Sequence, residues 1–172
     1  MRKPKVAVLM LACVCAALSV VAQTHAQARR AQGWRRVVPA QSKRAEVLRR
    51  LGKPAEGNAS YSLYEFEDER ARVIYADGRR CAGGGWNVPR GTVLSIIVTP
   101  RTELRASDLH LDLSKLEKEA AGDTPAHATY KDEAAGVTYE IFDRAGADYG
   151  RVLSITHSPA AKYKRLRCPG AG

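Results

Sequence analysis

In the stretch SDLHLDL, Asp108, His110 and Asp112 alternate with Leu109, Leu111 and Leu113. Side chains two residues apart share one face of an extended chain. Two carboxylates and an imidazole on one face could hold a divalent metal. They could equally pair a general base with the acid that orients it. On that reading the chain is a small metal-dependent hydrolase using Asp108, His110 and Asp112. A half-buried strand with one wet face produces the same alternation, and a helix would scatter the three groups. The plain strand is the reading we favour, so no catalytic residue, metal or cofactor is assigned and the hydrolase is kept as the alternative.

The other reactive side chains are placed less suggestively. His157 stands near the end of a core-facing row and reads as a rim histidine, while His127 precedes a strand without an obvious partner. Ser95 and Ser154 sit outside any G-x-S-x-G elbow and read as strand serines. The loop GGGWNVPRG lacks the terminal Lys and Ser/Thr of a phosphate-binding loop. Its Trp86, with Asn87 and Arg90, forms a candidate binding loop, because an indole on a glycine-flanked loop can anchor a partner. The same indole could instead pack over the sheet edge.

The elements that must position these groups follow an apparent targeting segment. MRKPK is basic, VAVLMLACVCAALSVVA is apolar and QTHAQA supplies small residues, the order of a signal peptide. Cleavage fits after Ala22, Ala26 or Ala28, the last agreeing best, which makes residues 1–28 the signal. An uncleaved anchor through residues 6–22 and lipidation at Cys13 are the weaker alternatives. Removing Arg2, Lys3 and Lys5 with the signal lowers the formal charge from +10 to +7 and leaves 144 residues, enough for one compact unit. That charge favours an anionic envelope component or a protein as partner, whereas no nucleic-acid motif accompanies it. Only Cys81 and Cys168 remain, and an oxidising compartment favours pairing them. Closing so long a loop would stabilise the fold by ~4 kcal/mol.

Residues 29–41 are basic and read as irregular. SKRAEVLRRLGKP then reads as a short helix, with Ser42 as N-cap, Val47, Leu48 and Leu51 as its apolar stripe, and Glu46 paired to Arg50. Gly52 suits a left-handed C-terminal position and Pro54 blocks continuation. YSLYEFE and RARVIYA alternate as strands, with Ser62, Tyr64 and Phe66 on one face of the first and Ala71, Val73 and Tyr75 together on the second. Asp68-Glu69 lies in the turn between them.

The chain then repeats itself. GTVLSIIVTP at 91–100 matches GRVLSITHSP at 150–159 at six of ten positions, and DERARVIY at 68–75 matches DEAAGVTY at 132–139 at five of eight. Two matching blocks in the same order predict two approximate helix–hairpin–strand repeats, residues 42–104 and 105–168, in which 107–123 stands where the first repeat has its helix. The expected fold is α+β, an antiparallel sheet packed by short helices. Comparison of the closing strands assigns Leu94, Ile96, Leu153 and Ile155 to the core, and Val93, Ser95, Ile97 and Thr99 to the solvent side.

A helix ending L-G-x-P, followed by YSLYEFE and RVIYADG, resembles the opening of BamE/SmpA-type α+β modules, across Ser42–Gly78 and its echo at 107–159. Those modules are related in fold to the tandem-repeat β-lactamase inhibitor protein. The chain also resembles uncharacterised secreted bacterial proteins carrying WNVP, a GTVL strand and a late cysteine. The first resemblance implies an envelope-assembly factor, and the inhibitor's fold implies protein binding through loops and an open sheet face. Together these readings give an exported, non-catalytic binding or structural module of the cell envelope or extracellular space, contacting its partner through the Trp86 loop and the exposed sheet face.

Overall fold

The computed structural model describes residues 33–79, 81, 85–120 and 126–169. The signal, its cleavage sites, the anchor reading and Cys13 lie outside the described residues. Eight strands dominate the fold: β1 (Glu56–Gly57), β2 (Tyr61–Glu65), β3 (Glu69–Tyr75), β4 (Val93–Pro100), β5 (Glu117–Ala120), β6 (His127–Asp132), β7 (Val137–Phe142) and β8 (Val152–His157). They form one antiparallel sheet in the order β1-β2-β3-β4-β8-β7-β6-β5. Each half of the chain therefore lays down a meander, and the last strand of each meets the other at the centre. The two strands pair through Ile96 with His157, Ile97 with Thr156 and Val98 with Ile155.

Helix α1 (Arg44–Leu51) precedes the sheet. Val47 is fully buried and Leu51 packs beside the core, but Leu48 is 39% exposed, because one turn of the helix touches the sheet along a single row. Glu46 and Arg50 pair at 2.6 Å as their spacing requires, and Gly52 takes φ +80°. Ser42 does not cap the helix. Its carbonyl accepts the Val93 N–H at 2.8 Å and its hydroxyl accepts the Val38 N–H at 3.1 Å, so the residue is committed to β4 and to the turn before it. Lys43 occupies the extended position ahead of the helix without a side-chain cap.

Residues 33–43 form turns and isolated bridges, and this stretch of the segment read as basic and irregular contributes side chains to the core. Val37 is fully buried, and Trp34 meets Phe66 edge to face at 5.7 Å while its indole N–H donates to Glu69 Oε1 at 3.0 Å. Arg35 lies 4.0 Å over the Phe66 ring and pairs with Glu69. An aromatic–cation stack of this kind adds to burial by a further fraction of the hydrophobic gain.

The hairpin strands follow the alternation expected of them. Ser62 and Tyr64 of β2 are buried, as are Ala71, Val73 and Tyr75 of β3. Burial pushes the Tyr64 phenol up to about 12, so it stays neutral. The closing strands depart from simple alternation. Opposite β3, register steps from Ile74 with Ser95 to Tyr75 with Val93, and opposite β7 it steps from Glu140 with Ser154 to Ile141 with Val152. Leu94 and Leu153 are the residues stepped past. A bulge reverses which side chains face inward, so Val93 and Val152 are buried while Leu94 and Leu153 are only half-buried. Beyond the bulge Ile96 and Val98 are buried and Ile155 packs on the core, with Ile97 and Thr99 on the other face. The block match at 68–75 and 132–139 is also displaced. Val73 faces Ile96 and Tyr139 faces Ile155, so Tyr139, two residues beyond Val137, holds the position of Val73.

Among the described residues, the second half carries no α-helix where the first has α1. Residues 105–110 form turns, Leu113–Lys115 a short 3-10 helix, and Glu117–Ala120 the edge strand β5. Leu104, Leu109, Leu111, Leu113 and Leu116 nevertheless pack on the core face of β6–β8, as α1 and Trp34 do on β2–β4. Helix α1, Trp34 and this leucine-rich segment thus pack on one face of the sheet.

His157 lies on the core face between Ile96 and Val137 in the register of the central strands, rather than at a rim. Burial lowers its pKa to about 4, and its Nδ1 is enclosed without a hydrogen-bond partner. The folded state therefore binds this proton less readily than the unfolded chain. Stability from the neutral ring is fully present above about pH 6.5 and is lost as pH falls toward 4, by ~3 kcal/mol at most. Denaturant melts across pH 4–7 should show this loss, and His157→Val, which copies Val98, should remove it.

Candidate functional site

Two surfaces qualify as sites. The first is a cleft of about 280 Å³ where the Trp86 loop, the β6–β7 turn and the C-terminal 3-10 helix Ala161–Leu166 converge. The described part of the Trp86 loop is pinned to the C-terminal segment. Asn87 N–H donates to Leu166 O at 2.8 Å, Cys168 N–H donates to Gly85 O at 3.2 Å, and Trp86 bridges Arg167. The disulfide between Cys81 and Cys168 closes this ladder with their Cα atoms 5.3 Å apart. Trp86 is half-buried and lines the cleft. Asn87 contributes its backbone to the ladder, while Arg90 lies outside the cleft and packs against Gly78, where an added Cβ would come within 2.7 Å of the Arg90 Cβ.

The opposite wall of the cleft is backbone. Asp132 Oδ1 accepts the Ala135 N–H at 3.0 Å and its carbonyl accepts the Gly136 N–H, folding a tight turn. Gly136 adopts φ +69° and accepts the Ser158 N–H at 2.7 Å. Lys131, Lys164 and Arg167 bring positive charge to the lining, and Asp132 and Glu133 bring negative charge. Lys164 stands 3.7 Å from Glu133, both well exposed. The run KYKRLR was readable as a basic patch around a tyrosine, and its meeting with Trp86 depended on the disulfide.

The second surface is the uncovered face of the sheet. In its first half Tyr61, Leu63, Ile74 and Ile97 are half-buried among Arg70, Arg72 and Thr99, and a groove of about 400 Å³ runs between them. Arg72 lies 4.6 Å over the Tyr61 ring, whose hydroxyl donates to Glu56. Arg70 and Arg101 both pair with Glu65, which holds that carboxyl below its usual range. Across β7 and β8 the same face carries Thr138, Glu140, Ser154 and Thr156. Ser154 Oγ donates to Glu140 at 3.0 Å, a strand contact, as its lack of an elbow motif implied.

Asp108, His110 and Asp112 are not on an extended strand. Asp108 Oδ2 accepts the Arg105 N–H at 2.8 Å, His110 has φ +51°, and Asp112 receives Ser114 and pairs with Lys115 at 2.7 Å. The shared face that the hydrolase reading required does not form. Among the described residues no three His, Cys, Asp or Glu side chains come together as a metal requires. His127 does find neighbours, Glu140 at 3.5 Å and the Phe142 ring at 5.6 Å.

No family model matches the chain, and no curated protein is similar to it in sequence. Among solved structures it is similar to a DUF4309 family protein (YjgB) from Bacillus subtilis subsp. subtilis str. 168, at 12% identity and a TM-score of 0.47, over 72% of this chain and 82% of that one.

Two substitutions probe what shapes the cleft. Gly136→Ala would strain the backbone and set a Cβ 2.5 Å from Ser158 O, so it should cost about 2 kcal/mol in a denaturant melt. Cys81→Ser with Cys168→Ser should cost about 4 kcal/mol on the chain-entropy account and raise amide exchange at 85–88 and 161–168. Unchanged exchange there would show that the ladder holds without its bridge.

Proposed function

We propose that this chain is an exported, non-catalytic binding module of the cell envelope or extracellular space. Its contact surface for a protein partner is the open sheet face of the first half. The observation that carries this reading is the cluster of Tyr61, Leu63, Ile74 and Ile97 on that face, with Arg72 stacked on Tyr61. A solvated sheet face is ordinarily polar, and the β7–β8 part of this one is. Interfaces are enriched in tyrosine and arginine around an apolar centre. Among the described residues Arg72 is stacked on Tyr61 and makes no ion pair, so a partner offering a carboxylate suits it.

Export rests on the basic, apolar and small-residue order of residues 1–28 and on a disulfide that an oxidising compartment maintains. Among the described residues no helix is long and apolar enough to cross a membrane. The two halves further read as products of an internal duplication. Position Ile97 corresponds to Thr156 in the repeated strand, and these two pair with each other. The flanking pairs, Ile96 with His157 and Val98 with Ile155, then exchange under the same correspondence. The likeness to BamE/SmpA-type modules rests on the L-G-x-P helix and the two strands after it.

Affinity capture from envelope extracts with the full chain tests the surface. A partner held by the wild type should be recovered at least tenfold less by Arg72→Glu and by Ile97→Asp, and equally by Ser154→Ala on the polar half. Equal recovery by all variants would refute the assignment.

A further inference from the structure

We infer that the cleft beside Trp86 is a second binding site, separate from the open face, and that its ligand is an acidic saccharide. The C-terminal 3-10 helix carries Lys162, Lys164 and Arg165, and Arg167 follows it directly. No acidic residue interrupts this run. Lys164 and Arg167, three residues apart, both line the cleft, and Lys131 lines it from β6. A guanidinium and two ammonium groups thus share the cleft lining with one half-buried indole. Lys131 is occupied by Glu119 and Lys164 stands loosely against Glu133, whereas among the described residues no ion pair engages Arg167.

These features select among anionic ligands. The indole offers a flat apolar platform with a polar edge, on which a sugar ring can lie. The volume, about 280 Å³, is at the lower end of small-molecule sites and accommodates one or two rings. Single-stranded nucleic acid is ordinarily gripped by successive stacking platforms along a cationic groove, and here one indole stands alone in the lining. Asp132 and Glu133 supply carboxylates that accept hydrogen bonds from sugar hydroxyls. Ser158 and Thr138 add further hydroxyl partners. The arrangement fits a carboxylated sugar: ring on Trp86, carboxylate on Arg167 and Lys164, hydroxyls toward Asp132 and Glu133.

The site is also prepared before any ligand arrives. Gly136 brings the β6–β7 turn against Ser158 and Ala160 more closely than any side chain would allow. The disulfide and the 85–87 ladder fix Trp86 opposite Arg167. Preorganised walls reduce the ordering cost of binding.

Tryptophan fluorescence gives the test, because the chain has two tryptophans and Trp34 is buried beneath the sheet. Hexagalacturonate titrated into the full chain should shift the Trp86 signal saturably, with calorimetry reporting the same dissociation constant. Cellohexaose should bind at least tenfold more weakly. Trp86→Ala, and Lys164→Glu with Arg167→Glu, should each weaken hexagalacturonate at least tenfold, while Ile97→Asp should not. Trp86→Phe, which keeps a ring, serves if the alanine variant fails to fold. Absence of saturable binding, equal affinity for cellohexaose, tighter binding of a ten-residue oligothymidylate, or an unaffected Trp86 variant would each overturn the assignment. Because Ile97→Asp leaves this cleft intact, failure here and failure of the open-face reading are distinguishable.

Discussion

Three residue pairs between β4 and β8 hold the architecture together. Each meander could form its own hairpins locally, but only this seam makes one sheet of eight strands. Ile155 belongs to the packing of both core clusters, so the hydrophobic contacts on either side share a residue at the seam. The bulges at Leu94 and Leu153 flank it at corresponding places, and both turn a valine inward. Burying one face against α1, Trp34 and the leucine-rich segment leaves the other face to water and to partners. The seam therefore decides which side chains become core and which become surface.

Much of this was legible. The hairpin faces of β2 and β3, the Glu46–Arg50 pair, the left-handed Gly52 and the pairing of Cys81 with Cys168 all follow from residue type and spacing. The closing strands were recognisable as strands, and Ile96 and Ile155 as core, but the inward turn of Val93 and Val152 in place of Leu94 and Leu153 was not, because a bulge is set by the neighbouring strand and leaves little mark on the strand's own pattern. Ser42 has every property of an N-cap, and a tertiary bond to Val93 overrides them. Trp34 and Val37 looked like a basic tail because the cations around them dominate the composition. The leucines of 104–116 were visible as apolar, but the chain packs them through turns instead of a helix.

The sites were less legible, for a physical reason. Asp108, His110 and Asp112 share one face only if the backbone is extended, and His110 takes a left-handed conformation instead. Trp86 stood out in sequence, but its neighbours Lys131, Lys164 and Arg167 come from separate stretches joined by turns and a covalent bridge. The cluster on the open face likewise spans three strands. A surface built by lateral pairing has no linear motif to betray it.

The bridge between Cys81 and Cys168 spans 87 positions and joins a loop of the first meander to the end of the second. Seen along the chain, it encloses β4 through β8 in one covalent ring that contains the whole seam. If thermal motion parts β4 from β8, the strands remain tethered at high effective concentration and re-pair within the same molecule. A chain with two such similar closing strands otherwise has an obvious wrong partner, the matching strand of another copy, which is the route to domain-swapped assemblies. The covalent ring thus favours re-pairing within one chain over exchange with a neighbouring copy, making the choice between them a question of geometry before it becomes one of affinity.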